Sequence, residues 1–174
     1  MTGVRPAAGP VRCTPMTEAT RDAARDLLAG FLGGDPHYLD SAASYGDAGT
    51  DALLRALDLF LARPALGFVW LAFVDDGGGE RVAGACVCCF AISTARGTLV
   101  AKLDDVTVDS GWQRRGVGEA MLASLGRHLA ALGCTRIDSG CHRDNDGAWR
   151  FYERLGFRAL GEERIALLLE GFAG

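Results

Sequence analysis

The sequence predicts a single domain with a mixed α/β layer fold. Two long apolar runs, rich in β-branched and aromatic residues, flank the turn residues 75–79, which is typical of a β-hairpin. Apolar residues at helical spacing lie both before and after this hairpin. The length of 174 residues fits one domain with a proper core and leaves little room for two.

The first predicted elements are a short strand and a helix. Residues 1–10 are rich in Pro, Gly and Ala and are expected to be a flexible tail, so the domain occupies residues 11–174. Residues 11–14 can form a strand, and Thr17 is a suitable N-cap for the helix after it. Two glycines at 33–34 are expected to end this helix. Its apolar positions are Ala23, Leu27, Leu28, Phe31 and Leu32.

A loop and a second helix come next. Residues 34–50 contain Gly, Pro, Asp and Ser with few apolar residues, which predicts a long loop. Asp51 is a suitable N-cap for the second helix, and Pro64 lies just beyond its end. The apolar face of this helix consists of Leu53, Leu54, Leu57, Leu59, Phe60 and Leu61.

The second half of the chain alternates strands with two more helices. One helix is predicted over residues 116–132 with Gly133 as its C-cap, and a shorter one over residues 148–155, ended by Gly156. The stripe of the longer helix contains Val117, Met121, Leu125, Leu129 and Leu132. Strands are predicted at residues 68–74, 82–93, 99–108, 135–141 and 164–169.

Composition excludes several classes of function. The net charge of -4 gives no basic excess for a nucleic-acid backbone. No secretory signal precedes residue 10, and the longest apolar run, residues 82–92, is too short to span a bilayer. The six cysteines show no paired metal-ligand spacing, and those at 86–89 lie in an apolar run, where free thiols behave as small hydrophobes. We therefore expect a cytoplasmic protein without a metal, without nucleic acid and without a membrane partner.

One turn has the character of a phosphate site. After the strand that ends in Val106-Thr107-Val108, a glycine-bearing turn leads directly into the helix that begins near Gly116. Backbone N–H groups at a helix start lack partners, and together with the helix dipole they bind a phosphate or pyrophosphate. The candidate residues of this turn are Gln113, Arg114, Arg115, Gly116, Val117 and Gly118. Alone, the pattern is more typical of an ordinary strand–helix turn with surface arginines than of a phosphate site.

A second segment, read together with the turn, resembles a known family. Asn145 precedes Phe151-Tyr152-Glu153-Arg154-Leu155-Gly156-Phe157. The turn at 113–118 resembles the Q/R-x-x-G-x-G/A motif of the GNAT N-acetyltransferase superfamily. The segment from Asn145 to Phe157 resembles the Asn…FYE-x-x-GF motif of the same superfamily. The resemblance is firm over residues 99–169. It implies a mostly antiparallel sheet of six to seven strands, with helices on both faces and a cleft for acetyl-CoA where the fourth and fifth strands diverge.

The resemblance also implies roles for individual residues. The pantetheine arm of acetyl-CoA would pair with the backbone of Val106–Val108, and the Val108 N–H would polarise the thioester carbonyl. Tyr152 would be the general acid that protonates the CoA thiolate. The alternative is that Tyr152 is only an aromatic residue of the core. Asn145 would hydrogen-bond the pantetheine arm or cap a helix. The acceptor amine would attack directly, with no covalent enzyme intermediate.

The residue that would deprotonate the acceptor amine is less clearly indicated by the sequence. Asp104 and Asp105 lie on the strand before the turn, and in a regular strand they point to opposite faces. Asp104 shares its face with Lys102, where many relatives place a catalytic glutamate. We predict Asp104 as the base, acting through water, and Asp105 as a charge that binds the amine. His142 is the reserve base.

The acceptor itself is expected to be a small primary amine. In this superfamily the early helices and their loop cover the acceptor site, and here His37, Tyr38, Asp40 and Tyr45 could form an aromatic and acidic pocket for a cation. The alternatives are an acetyltransferase of protein N-termini or lysines, and a non-catalytic acyl-CoA-binding module. The sequence leaves open whether the chain forms a homodimer.

Overall fold

The computed structural model describes residues 9–42 and 49–161, with side chains at 40–42 excepted. The strands of this part are β1 (Arg12–Pro15), β2 (Gly67–Asp75), β3 (Glu80–Ser93), β4 (Thr98–Val108) and β5 (Ile137–Ser139). The helices are α1 (Arg21–Gly34), preceded by a 3₁₀ turn at Glu18–Thr20, α2 (Pro36–Ala42), α3 (Gly49–Ala62), α4 (Val117–Ala131) and α5 (Asp146–Arg154). The mixed α/β class is confirmed. The predicted strand at 164–169 and residues 1–8 of the predicted tail lie outside the described residues.

The sheet follows the order of the chain, β1-β2-β3-β4-β5. All neighbours pair antiparallel except β4 and β5, which run parallel. That parallel pairing covers only Ala101–Leu103 of β4 against Ile137–Ser139 of β5. The remainder of β4, from Asp104 to Val108, has no ladder partner on this side among the described residues. The two strands therefore diverge and open a cleft, as the resemblance implied.

Helices cover both faces of the sheet. One core lies under α4 and α5 and includes Trp70, Leu103, Met121, Leu125 and Tyr152. The other lies under α1 and α3 and includes Leu28, Leu57, Leu71 and Val87. This division follows from the alternation of side chains along β2 and β3, where neighbouring residues enter opposite cores. None of the described helices combines the length and apolar character needed to cross a membrane.

The predicted loop at 34–50 is wrong in part, because α2 occupies its first half and α3 begins at Gly49. Asp35 ends α1 and starts α2: its backbone N–H donates to the Phe31 carbonyl, and its side chain accepts from the N–H groups of His37 and Tyr38. Pro36 then occupies the first helical position, where its missing N–H costs nothing. The sequence prediction counted the proline and aspartate as turn residues, although both also start helices.

Candidate active site

The strand that borders the cleft contains a β-bulge at the two aspartates. Cys86 pairs with Val106 and Cys88 pairs with Leu103, so the single residue Val87 faces both Asp104 and Asp105. Such an extra residue disrupts the ladder locally and shifts the alternation of side chains by one position. Before the bulge Leu103 enters the core under α4, and after it Val106 packs against the same core.

The bulge corrects the predicted orientation of the pair. Because the alternation shifts between Leu103 and Val106, both aspartates lie on the face opposite that core, the face that α1 covers. The two carboxylates are close enough for the Asp104 charge to raise the pKa of Asp105. The prediction that they point to opposite faces is therefore wrong, since it assumed a regular strand.

The two carboxyl groups differ in their surroundings. Burial is the main cause that raises the pKa of Asp105 from 3.8 to about 6, and the neighbouring Asp104 adds to it. Asp104 has a side chain that is 49% exposed, and its Oδ1 lies 3.9 Å from Lys102 Nζ. A carboxylate with a pKa just below neutral is better matched to proton abstraction at physiological pH than an exposed one paired with an ammonium group. The geometry thus favours Asp105 over Asp104 as the base candidate.

Tyr152 lies at the inner end of the cleft, on α5. It is 9% exposed and belongs to the core under α4, packed between the rings of Phe151 and Phe157 at centroid distances of 5.4 and 5.1 Å. Burial raises the pKa of Tyr152 to about 12, which an interaction with the Ser139 side chain offsets in part. The hydroxyl therefore keeps its proton at neutral pH and can act as a donor. Its core position and its proposed acid role are compatible.

Asn145 and His142 occupy the loop between β5 and α5. Asn145 is the N-cap of α5, because its Oδ1 accepts from the Ala148 N–H at 2.9 Å. The Nδ1 atom of His142 accepts from the Asp144 N–H at 3.2 Å, and its ring lies 5.2 Å from the ring of His37 on α2. This contact joins the helix that covers the acceptor side to the loop after β5.

The predicted phosphate turn has the required backbone. Arg114 and Gly116 adopt positive φ angles of 58° and 85°, and Gly116 is the N-cap of α4. In the described chain, the N–H groups of Gly116, Val117 and Gly118 donate to no backbone carbonyl outside their helix. A Cβ at Gly116 would meet no atom within 4 Å, so the space beside this residue is open. This arrangement suits a phosphate or pyrophosphate.

The side chains of the turn mostly stabilise it. Gln113 Nε2 donates to the Val108 carbonyl at 3.0 Å, and the Arg115 guanidinium lies 3.9 Å from the centre of the Trp112 ring. Val117 is buried in the core under α4. Gly118 lies close to α5, since a Cβ there would be 3.3 Å from the Phe151 ring, which would have to shift by a few tenths of an ångström. This close approach is a contact between α4 and α5.

The direction of the β4 backbone groups also suits a thioester substrate. The Asp109 N–H donates to the Ala83 carbonyl of β3 at 2.9 Å. Since backbone groups alternate in direction along a strand, the Val108 and Val106 N–H groups point away from β3 and toward the open side. This is the orientation that the predicted roles of these residues require, and the roles stay predictions.

A cleft of about 2270 Å³ brings several of the candidates together. Among its lining residues are Asp104, Asp105, Val106, Asn145 and Tyr152, and also the predicted acceptor residues His37, Tyr38 and His142. The turn at 113–118 lies outside this lining. The side chain of Asp40 and all of Tyr45 fall outside the described residues, so this part of the predicted pocket is not placed.

Two contributors to the site were missed by the sequence interpretation. Ser139 lies beside the Tyr152 hydroxyl, and only the fold brings them together. Asp109 holds the start of the turn through its side chain, which accepts from the Gly111 N–H at 2.8 Å. The spacing of Asp and Gly two residues apart is a recognisable turn signal and could have identified it.

No metal centre is evident in the part of the chain that the structure describes. No group of three or more His, Cys, Asp or Glu side chains is placed there to hold an ion. The six cysteines are all free thiols, and burial raises the pKa of Cys88 to about 12. They pack as small apolar residues in and around the cores.

Comparison with known proteins agrees with this geometry. The family model of the Acetyltransferase (GNAT) family matches residues 34–157. The chain is 41% identical to the spermine/spermidine N(1)-acetyltransferase of Bacillus subtilis (strain 168) over 61 residues, a match that covers 34% of this chain and 40% of that relative. The match thus spans less than half of the curated relative.

Solved structures share the fold over almost the whole chain. The crystal structure of a probable acetyltransferase superimposes on this chain with a TM-score of 0.72 at 20% sequence identity. The superposition covers 90% of this chain and 96% of the acetyltransferase chain. An aminoglycoside N-acetyltransferase in complex with CoA superimposes with a TM-score of 0.68 at 19% identity, covering 94% and 97%. With the family model matching most of the chain, the protein belongs to the Acetyltransferase (GNAT) family.

Proposed function

We propose that this protein is an acetyl-CoA-dependent N-acetyltransferase that acetylates a primary amine of a small cationic molecule by direct attack. The observation that supports this most is the β4 bulge, which directs two carboxylates to one side of a cleft beside an unpaired strand edge. The names of a spermine/spermidine acetyltransferase and an aminoglycoside acetyltransferase among similar proteins agree with such an acceptor.

The chain offers groups that fit acetyl-CoA at two places. The open N–H groups of Gly116–Gly118 suit the pyrophosphate. The edge of β4 from Val106 to Val108 suits an extended pantetheine arm, which can add to a strand as a peptide does. Acetyl-CoA supplies the activated acetyl group, and the protein supplies the binding, the orientation and the proton transfers.

Asp105 is the proposed base. The negative charge of the two carboxylates offsets part of the desolvation cost of an approaching ammonium group. Asp105 then takes the proton, directly or through one water, and leaves a neutral amine nucleophile. Asp104, more exposed and beside Lys102, adds negative charge without abstracting the proton.

Tyr152 is the proposed donor to the leaving sulfur. While the amine attacks, the Val108 N–H stabilises the negative charge that grows on the carbonyl oxygen. The Tyr152 hydroxyl donates a hydrogen bond and then its proton to the sulfur as the carbon–sulfur bond breaks. The proton that the attacking nitrogen loses on forming the amide restores the hydroxyl. With a pKa of about 12 it is a weak acid, so its contribution is expected near the lower end of the ordinary range.

An acetyl-CoA-dependent thiol-release assay over a panel of amines tests the proposal. The panel contains polyamines, aminoglycosides, acidic amino acids and peptides with free N-terminal or lysyl amines. We expect turnover of the polycationic small molecules, with a rate that falls as the pH drops below about 6, where Asp105 becomes protonated. Turnover of acidic acceptors alone would make Lys102 the substrate anchor, and turnover of peptides alone would assign the protein-acetylating alternative.

A pair of matched variants separates the two aspartates. Asp105→Asn should lower kcat by about 10²-fold or more and flatten the acidic limb of the pH–rate profile. Asp104→Asn should raise KM for the amine by a few-fold and keep the acidic limb. If Asp104→Asn alone abolishes the limb, the original assignment of Asp104 as the base is right.

A further inference from the structure

Asp109, which lies outside the lining of the cleft, makes several contacts to the phosphate turn. Asp109 is the first residue after β4, and its backbone N–H donates to the Ala83 carbonyl of β3 at 2.9 Å. Its carbonyl accepts from the N–H groups of Trp112 and Gln113 at 2.8 and 3.0 Å. The residue thus connects the sheet to the beginning of the turn.

The Asp109 carboxylate completes this arrangement. Its Oδ1 accepts from the Gly111 N–H at 2.8 Å, and its Oδ2 accepts from Arg81 Nη2 at 3.2 Å. Arg81 belongs to β3, so the carboxylate joins the turn to the adjacent strand. The Asp109 side chain is 30% exposed and that of Arg81 is 47% exposed, so the ion pair by itself stabilises little. The bond to Gly111 is therefore the stronger of the two.

The negative charge of Asp109 does not explain why an aspartate lies beside a pyrophosphate site. A carboxylate beside a pyrophosphate site repels the ligand, whereas a carboxylate with both oxygens engaged by donors is largely neutralised. The contacts instead fix the backbone from Asp109 to Gln113. Gln113 in turn holds the Val108 carbonyl, and the N–H groups of Gly116–Gly118 follow within one turn of helix.

We propose that Asp109 is a positioning residue that sets the affinity of the turn for the pyrophosphate part of CoA, by geometry and not by charge. The inference rests on the proposed function, because it takes CoA as the ligand of the turn. It assigns to Asp109 no contact with the ligand.

Three substitutions separate geometry from charge. Asp109→Asn keeps an oxygen that can accept from the Gly111 N–H and removes the charge. Asp109→Glu keeps the charge and moves the oxygens one methylene further from Gly111. Asp109→Ala removes both. Asp76→Ala is the matched control, because Asp76 makes the same bond to the residue two positions ahead, Gly78, at 3.0 Å and also lies 4.0 Å from Arg81.

Calorimetric titration with CoA is the first measurement. We expect the Kd of Asp109→Ala and Asp109→Glu to rise by about tenfold, as for the loss of a hydrogen bond that constrains the turn. Asp109→Asn should remain within about threefold of the wild type, and Asp76→Ala should be unchanged. If Asp109→Glu binds like the wild type and Asp109→Asn does not, charge is the cause and the proposal is wrong.

A truncated substrate provides the second measurement. S-acetylpantetheine lacks the pyrophosphate, so Asp109→Ala should lower kcat/KM for acetyl-CoA and leave kcat/KM for S-acetylpantetheine unchanged. An equal loss with both substrates would show general damage to the fold and would overturn the inference. Failure of the wild type to bind CoA would overturn the proposed function instead, and wild-type affinity in all three Asp109 variants would overturn this inference alone.

Discussion

The phosphate turn and the acceptor side of the cleft are built in different ways. The turn from Val108 to Gly118 is held mostly by bonds between residues at most five positions apart, such as that from Gln113 to the Val108 carbonyl. Asp109 adds two ties to β3, at Ala83 and at Arg81. The acceptor side is assembled from β4, α2, the loop after β5 and α5, which meet only in the folded chain. A local motif can thus be identified from the sequence, whereas a side assembled from distant segments depends on the register of the sheet.

The two regions should also respond differently to substitution. Changes in the turn should affect cofactor binding, because the turn has few contacts with the acceptor residues. Changes on the acceptor side should affect the rate or the stability of the fold and leave cofactor affinity intact.

Gly116→Glu should produce the largest effect. The new carboxylate would lie at the N-terminus of α4, beside the turn, and repel the pyrophosphate. The positive φ of 85° adds strain for any residue with a Cβ. We expect CoA affinity to fall by roughly 100-fold or more in calorimetry, since like charges in contact cost several kcal/mol.

Gly133→Glu is the matched control for this change. Gly133 follows the other end of α4, has a φ of 82° and also meets no atom within 4 Å. The strain of the two substitutions is therefore similar, and only their position relative to the turn differs. Equal loss of CoA affinity in both variants would show that strain in α4 is the cause, and the turn would lose its assignment.

Tyr152→Phe tests the other of the two regions, the acceptor side of the cleft. The substitution removes one hydroxyl and leaves the ring packing with Phe151 and Phe157, so the fold should persist. We expect kcat to fall by about 100-fold with unchanged affinity for CoA. Steady-state kinetics with full activity would mean that water or another group protonates the sulfur.

Asp105→Asn should change the free energy of unfolding, and this is the smallest of the expected effects. The test concerns the sign of that change, which should be a gain in stability. The folded pKa of Asp105 lies above its unfolded value, so the native state binds more protons between pH 4 and 6 and loses stability as the pH rises through this window. The asparagine variant avoids that loss. Its free energy of unfolding should exceed that of the wild type by on the order of 2 kcal/mol at pH 7.5.

Urea unfolding at pH 7.5 and pH 4 is the measurement. At pH 4 the difference between Asp105→Asn and the wild type should largely disappear, because the carboxyl group is then neutral in the native state. Asp104→Asn serves as the control. It should stabilise the protein less than Asp105→Asn at pH 7.5, because it removes only the smaller, Coulombic cause of the raised Asp105 pKa. A gain in stability that is the same at both pH values would contradict the burial of a charged Asp105.

Much of the fold followed from patterns within single segments. The hairpin of β2 and β3, the stripe of α4 and the strand–turn–helix at 106–118 were predicted because alternation, helical spacing and turn residues are local signals. The short helix α2 was missed because Pro36 and Asp35 also suit loops. The strand predicted at 135–141 is shorter in the structure, as β5 pairs only at Ile137–Ser139.

The site was predicted less completely for a physical reason. Which face a β4 side chain occupies depends on how β3 pairs with it, and the opposition of Val87 to two residues cannot be identified from either strand alone. The difference in burial between Asp104 and Asp105 follows from that pairing and from α1. Sequence reasoning therefore identified the pair but could not distinguish the two carboxyl groups by their burial.

The bulge also means that β4 contains one residue more than its sheet needs. Removal of either aspartate would restore an uninterrupted ladder, with Leu103 opposite Cys88, one carboxylate opposite Val87, and Val106 opposite Cys86. A one-residue deletion inside a strand normally turns every later side chain to the wrong face. Here it would leave both cores in register and change only the number of acids. The bulge thus places two acidic residues opposite Val87, where a regular strand would place one.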